Sequence, residues 1–269
     1  MARFSNLLNF DVMTLGNHEF DDGIGGLAPY LRNQSAPCVV SNIDTAETPQ
    51  LAGLCRPSAV LSVGGRRVGV VGYLTRDTLE VSNPGRLGIR DEVEAVRRET
   101  ERLHNQGVDI IIALGHSGYG KDMQIARAVP HLDLVVGGHT HSFLYPPNLD
   151  NPSNNRVEGA YPTIVSKPGG GRAAVVQAYA FTKYLGKLEL SFDSGGELKS
   201  WWGSPLLLDS SIKEDPAIRA ELLLWREQLD KIRQNLVGYS DVVLSRSREG
   251  ESSIGNFVTD AMVWGHRQP

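Results

Sequence analysis

Along this chain, short apolar runs of strand length alternate with longer stretches whose apolar residues recur at helical spacing. Val12-Met13-Thr14-Leu15, Cys38 to Ile43, Arg66 to Leu74, Ile110 to Leu114 and Leu132 to Val136 are apolar runs closed by polar or glycine-bearing turns, and they predict buried strands. Between them lie helix patterns. One covers Gly25 to Arg32 and another residues 122–129. The clearest starts at Asp91, where Asp91 and Glu94 form a capping-box pattern, Val93, Val96 and Leu103 share one face, and Gly107 is the stop. Strand, helix, strand order repeated in this way predicts a layered α/β fold with a buried sheet.

Further along, Tyr145 to Tyr161 is rich in Pro, Asn and Asp and reads as a surface loop. Strand patterns at 162–166, 173–178 and 185–192 follow, and Asp193-Ser194-Gly195-Gly196 marks a hairpin turn into 197–208, a stretch expected to form the second sheet of a sandwich. Asp215-Pro216 then opens a helix from Ala217 to about Asn235. The first ten residues, apolar at 4, 7, 8 and 10, read as an amphipathic helix instead of a secretory leader, and no run reaches transmembrane length.

Three of the apolar runs end alike. The first leads into Gly16-Asn17-His18-Glu19-Phe20-Asp21-Asp22-Gly23, the next into Gly115-His116-Ser117-Gly118, and another into Gly137-Gly138-His139-Thr140-His141. Loops leaving the C-terminal ends of parallel strands gather on one edge of a sheet, so Asn17, His18, His116, His139 and His141 can converge. Gly16 and Gly23, which bound the first of these turns, would let the backbone approach an ion or phosphate closely. Imidazole with amide and carboxylate oxygen suits Zn²⁺, Mn²⁺ or Fe²⁺ rather than Ca²⁺. The plainer reading is a polar capping loop and buried histidines that donate to carbonyls. Glu19 and Asp22 read as loop-shaping carboxylates, and His104, His131 and His266 fall outside the pattern.

Composition narrows the partners. With 269 residues, 41% hydrophobic and 22% charged, the chain can bury a normal core and can hold one large domain or one plus part of another. A net charge of -4 offers no electrostatic footprint for a nucleic acid polymer or a membrane surface, whereas free nucleotides remain compatible with a metal that supplies positive charge locally. Cys38 and Cys55 could pair, but Cys38 lies in a predicted buried strand, which favours free thiols. Asn33-Gln34-Ser35 is a glycosylation sequon.

The ordered Gly-Asn-His-Glu-Phe-Asp, Gly-His-Ser-Gly and Gly-Gly-His-Thr-His motifs resemble those of calcineurin-like metallophosphoesterases. Val40-Ser41-Asn42-Ile43, Ser82-Asn83-Pro84-Gly85, Val175 to Phe181, Lys183-Tyr184-Leu185-Gly186 and Ile254-Gly255-Asn256-Phe257 narrow this to the 5'-nucleotidase and apyrase family, with animal ecto-5'-nucleotidases and secreted apyrases most similar. The resemblance implies an α/β two-sheet sandwich flanked by helices over residues 1–210, a linker helix over 211–236, and over 237–269 the beginning of a second, substrate-binding α/β domain. It implies hydrolysis of nucleoside 5'-phosphates of the AMP, ADP or ATP class, an extracellular or cell-surface location, and a homodimer in a full-length form. It assigns Asn17, His116 and His139 to one metal, and His141 to a metal or a phosphate contact. His18 and Asp21 match the catalytic dyad beside the phosphate, and Arg248 matches an arginine that holds the phosphate from the second domain. Zinc is the implied metal, with Mn²⁺, Mg²⁺ or Ca²⁺ as alternatives, in a site that is dinuclear in the complete family.

There are departures. The family's Asp-x-His and Gly-Asp motifs, the latter carrying the aspartate that bridges two metals, find no match in the residues before Gly16. Vertebrate relatives flank the arginine with cysteines that are absent here. These departures lead to the expectation of one metal of reduced affinity and weak turnover by this chain alone. They also leave open a rival reading, a catalytically impaired nucleotide- or metal-binding protein. A third, a cyclic-nucleotide or 2',3'-phosphodiesterase, is disfavoured by the Lys-Tyr-Leu-Gly and Ile-Gly-Asn stretches.

Overall fold

Strands that are apolar on successive residues can be stable only if both of their faces are covered, and the centre of this fold is built that way. The computed structural model describes residues 2–247 and 250–267, with backbone only for Glu227 and Gln228. Its elements are helix α1 (Ala2–Leu7), a 3-10 turn (Asn17–Phe20), α2 (Gly23–Arg32), β1 (Cys38–Val39), β2 (Ile43–Asp44), β3 (Cys55–Arg56), β4 (Ser58–Val63), β5 (Arg66–Leu74), α3 (Thr78–Val81), β6 (Gly88–Ile89), α4 (Glu92–Asn105) and β7 (Ile110–His116). There follow α5 (Tyr119–Ala128), β8 (Leu134–Val136), β9 (Thr163–Ser166), β10 (Arg172–Val176), β11 (Tyr184–Phe192), β12 (Leu198–Leu207), α6 (Pro216–Arg233) and α7 (Ser253–His266). The chain divides into two compact units, Met1–Lys213 and Glu214–Pro269.

In the first unit a six-stranded sheet runs in the order β4-β5-β7-β8-β10-β9. β5, β7, β8 and β10 are mutually parallel, with antiparallel β4 and β9 at the two edges. Side chains alternate between the faces. Ile111, Ala113, Val135, Ala173 and Val175 pack with Val93, Val96, Leu103 and Ile125 of helices α4 and α5. Ile112, Leu134, Ala174 and Val176 point the other way, onto Leu188, Leu190, Phe192 and Trp201 of the β11–β12 hairpin. A third cluster gathers Leu15, Phe20, Leu27, Leu31, Cys38, Val40, Leu51 and Leu74 beneath the 3-10 turn and α2.

The layered α/β architecture is the one expected, with local differences. Strand patterns 162–166 and 173–178 join the principal sheet instead of a second one, because Ala173 to Val176 bury alternate residues on both faces as an interior strand does. The second layer is the β11–β12 hairpin, turned at Asp193 to Gly196, where Gly196 takes φ +87. Of Val12 to Leu15, Met13 alone forms a bridge among the described residues, its N–H donating to Pro37 O at 3.0 Å and its carbonyl accepting from Val39 N at 2.8 Å. Cys38 to Ile43 splits into β1 and β2. Between them the buried Asn42 amide donates to the carbonyls of Leu74 and Arg90 and accepts from Leu74 N, replacing ladder bonds that a continuous strand would make.

Helix α4 begins as its capping pattern predicts, with the Asp91 carboxylate accepting from Glu94 N at 2.9 Å. In the second unit, Asp215 caps α6 by accepting from Ala217 N and Ile218 N at 2.8 and 3.0 Å, and Pro216 occupies the first turn where its missing N–H costs nothing. The Ser252 hydroxyl caps α7 by accepting from Gly255 N.

At the N-terminal edge of the sheet, Asp133 is 6% exposed and accepts from Ile111 N at 2.8 Å. Burial pushes its carboxyl up to about 7. The folded state therefore holds a proton there that the unfolded chain releases near pH 4, so this group's contribution to stability falls as pH rises from about 4 through about 7. Asp133→Asn keeps an oxygen acceptor for Ile111. Unfolding free energies from urea titrations at pH 5 and pH 7.5 should differ less in that variant than in the parent, by an amount on the order of 2–4 kcal/mol. An unchanged difference would contradict the assignment.

Candidate functional site

The four parallel strands all finish on one edge of the sheet, and the residues just beyond their ends face one another. Leu74 of β5 lies in register with His116 of β7, and β8 runs out through Val136 into Gly137-Gly138-His139. The 3-10 turn brings Asn17 to the same place from the neighbouring layer. Asn17 is buried, and its amide oxygen lies 3.1 Å from His116 Nε2 and 3.2 Å from His139 Nδ1. The two imidazoles meet edge to face at 5.1 Å between centroids.

Close packing explains why these loops are glycine-rich. A Cβ on Gly16 would stand 3.0 Å from the His116 ring, and one on Gly138 would stand 2.9 Å from His116 Nδ1. A Cβ on Gly115 would overlap the Tyr73 ring, and one on Gly137 the Asp122 carboxylate. The glycines thus make room for side chains of the protein itself. Glu19 shapes the first loop as anticipated, accepting from Gly16 N at 2.6 Å.

Burial pushes His116 down to about 4, with the neighbouring His139, His18 and His141 rings acting in the same direction. At neutral pH it is an uncharged imidazole, the form that ligates metals. Among the described residues no three His, Cys, Asp or Glu side chains stand together as a cation-holding group. Asn17 supplies what that set lacks. Donors about 2.0–2.1 Å from one tetrahedral cation sit roughly 3.4 Å apart, close to the spacing of Asn17 Oδ1 from each ring nitrogen. The two spacings that Asn17 Oδ1 makes are thus compatible with one cation of the zinc or manganese type.

His18 is exposed on the 3-10 turn. Its Nδ1 donates to Asp21 Oδ2 at 2.8 Å, and Ser82 Oγ donates to Asp21 Oδ1 at 2.8 Å. The His18 hydrogen bond leads in holding the Asp21 carboxyl below the usual carboxylate range. His141 is exposed at φ +56, with its ring edge-on to Phe181 at 5.4 Å. Arg248 lies outside the described residues.

Sequence reasoning missed several participants. His139 Nε2 lies 3.7 Å from Asp77 Oδ2, so a carboxylate stands behind the ring on the side away from Asn17. At that distance Asp77 makes no hydrogen bond and acts on the ring as a nearby charge. Its only signal is position, in the first residues past the end of β5. Gln177, just past β10, donates from Nε2 to Gly138 O at 2.9 Å and to Asp122 Oδ2 at 2.8 Å, and accepts from Ser142 N at 3.1 Å. Tyr73 completes the arrangement by donating to Asp122 Oδ1 at 2.6 Å.

The calcineurin-like phosphoesterase family model matches residues 1–143. A 5'-nucleotidase of Rattus norvegicus is 46% identical over 98% of this chain and 47% of its own length. A snake venom 5'-nucleotidase of Naja atra is 41% identical over 99% of this chain and 51% of its own. The crystal structure of a 5'-nucleotidase precursor from Thermus thermophilus superposes with TM-score 0.92 at 37% identity, covering 99% of this chain and 53% of that one. The chain spans about half the length of the curated relatives it matches.

Gly138→Ala should push the His116 ring off Asn17, whereas Gly25→Ala, with nothing within 4 Å of the added carbon, should not. Calorimetric titration with Zn²⁺ is the check. The first variant should bind about 10- to 100-fold more weakly than the parent and the second should match it. Equal affinities in all three would remove the cation reading.

Proposed function

This chain belongs to the calcineurin-like phosphoesterase family, and we propose that it carries the metal- and phosphate-handling part of a 5'-nucleotidase or apyrase, hydrolysing nucleoside 5'-phosphates to inorganic phosphate. The observation that carries the reading is the convergence of Asn17, His116 and His139 at the C-terminal edge of the parallel sheet, with the His18–Asp21 pair on the same turn as Asn17. The identity to 5'-nucleotidases across nearly the whole chain supports the substrate class. The venom source of one relative supports an extracellular location. Among the described residues no helix is long and apolar enough to cross a membrane.

In this reading Asn17, His116 and His139 hold a divalent cation, Zn²⁺ in the first instance, and His141 serves a second cation or the phosphate. A divalent cation held there supplies Lewis acidity toward a phosphoryl oxygen. The chain's own residues do the rest. Asp21, kept ionised, accepts the hydrogen bond from His18 Nδ1 and so leaves Nε2 to face the substrate. The N–H at Nε2 then donates to the phosphoryl oxygen on which negative charge grows, the interaction that lowers the barrier. Ser82 anchors the other oxygen of Asp21, so the dyad is fixed at both ends. Arg248 matches by family resemblance an arginine that holds phosphate, a role suited to a planar guanidinium fork.

Phosphate release from AMP and ADP, measured with added Zn²⁺ and again with a chelator, tests this. Turnover should need the metal, fall about 10²- to 10⁴-fold in His18→Ala, and fall less in Asp21→Asn, which keeps a hydrogen-bond acceptor but loses the charge. Turnover that survives both chelation and His18→Ala would overturn the proposal.

A further inference from the structure

Two cysteines that take no part in the candidate site face each other across a strand pair. β1 and β3 run parallel with Cys38 directly opposite Cys55, and Cys55 Sγ lies 2.8 Å from Cys38 Sγ. Both are free thiols in this structure. We propose that Cys38 and Cys55 form an oxidisable dithiol that closes to an intramolecular disulfide by exchange with a small organic disulfide of the oxidised glutathione class.

Disulfides need facing residues and sulfurs that can come to about 2.03–2.05 Å, so the paired register supplies the first condition and about 0.8 Å of sulfur movement supplies the second. The two thiols differ in access. Cys38 is 5% exposed, in the apolar cluster with Leu15, Leu27 and Leu51, whereas Cys55 is half-buried at the margin of that cluster. The Cys55 hydrogen bond and burial both push the Cys38 thiol up, which makes it a poor first nucleophile.

That asymmetry orders the reaction. The Cys55 thiolate attacks one sulfur of the small disulfide, and the other sulfur leaves as a thiolate that takes up a proton. Cys38 then gives up its proton and attacks Cys55 Sγ in the mixed disulfide, and the second small thiol departs. Two protein thiols and one small disulfide become one protein disulfide and two small thiols, with two electrons passing from protein to reagent.

The bond would brace the backbone that leads into the site. β1 pairs with Met13 through Val39 N, and four residues after Met13 comes Asn17. Joining Cys38 to Cys55 closes the loop between them and removes chain entropy from the unfolded state.

The full chain is equilibrated in native buffer with oxidised glutathione, alkylated with N-ethylmaleimide, and analysed by intact mass and peptide mapping. The expected product is lighter by two hydrogen atoms, takes up no maleimide, yields one peptide pair joined through Cys38 and Cys55, and reverts with dithiothreitol. Its thermal midpoint should rise by about 5–10 °C over the reduced protein. Cys55→Ser, at the half-buried position, should form no internal bond and show no rise. Two alkylatable thiols after equilibration would overturn the proposal, and so would a persistent glutathione adduct on Cys55 beside a free Cys38.

Discussion

A buried carboxylate is expensive unless its oxygens are satisfied, and the C-terminal edge of this sheet is organised around satisfying one. Asp122, fully buried on helix α5, receives the Tyr73 hydroxyl on one oxygen and the Gln177 amide on the other. Burial nevertheless pushes its carboxyl up to about 6, with the two hydrogen bonds opposing. The three residues come from β5, from α5 and from just beyond β10, so the network spans the strands that bear the site. Each backbone position that passes over it must be small, and Gly115 and Gly137 are the positions that pass. His116, one residue after Gly115, and His139, two residues after Gly137, are then carried on backbone held by a packed polar core instead of by loop chemistry.

Gln177 transmits this rigidity outward. Its remaining bonds reach Gly138 O and Ser142 N, on either side of His139 and His141. Both histidines have positive φ, at +78 and +56, a conformation that costs a non-glycine residue about 1–3 kcal/mol and persists only where its surroundings over-determine it. Anchoring the loop at both ends is such a surrounding. Asp77 stands 3.7 Å behind the His139 ring, Asn17 Oδ1 lies 3.2 Å from its Nδ1, and the His116 ring meets it edge to face.

What is legible from the sequence follows from this. The parallel strands can be read because Ile110 to Leu114 and Leu132 to Val136 are apolar at every step save Asp133, and the meeting of Asn17, His116 and His139 can be read because the glycine-histidine turns follow such strands. Hydrophobic alternation does not say which sheet a strand joins, so the patterns at 162–166 and 173–178 point to the wrong layer. Nor does it reveal side chains that replace backbone pairing, which is how Asn42 breaks one expected strand into two. Asp77 and Tyr73 carry no motif at all. Their importance lies in register, since β5 ends level with β7, and register is a property of the paired strands together.

The site also divides its work by depth. Asn17 and His116 are set inward, where burial holds His116 uncharged at neutral pH. His18 is 77% exposed in its side chain, one residue further along the same turn, and it faces an ionised Asp21. At the depth of His116 a positive imidazolium is opposed by desolvation and by three other rings. One tight turn therefore presents, in successive residues, a buried amide and an exposed imidazole bonded to a carboxylate. The 3-10 geometry from Asn17 to Phe20 makes this separation by aiming Asn17 and Phe20 into the protein while His18 and Glu19 face outward.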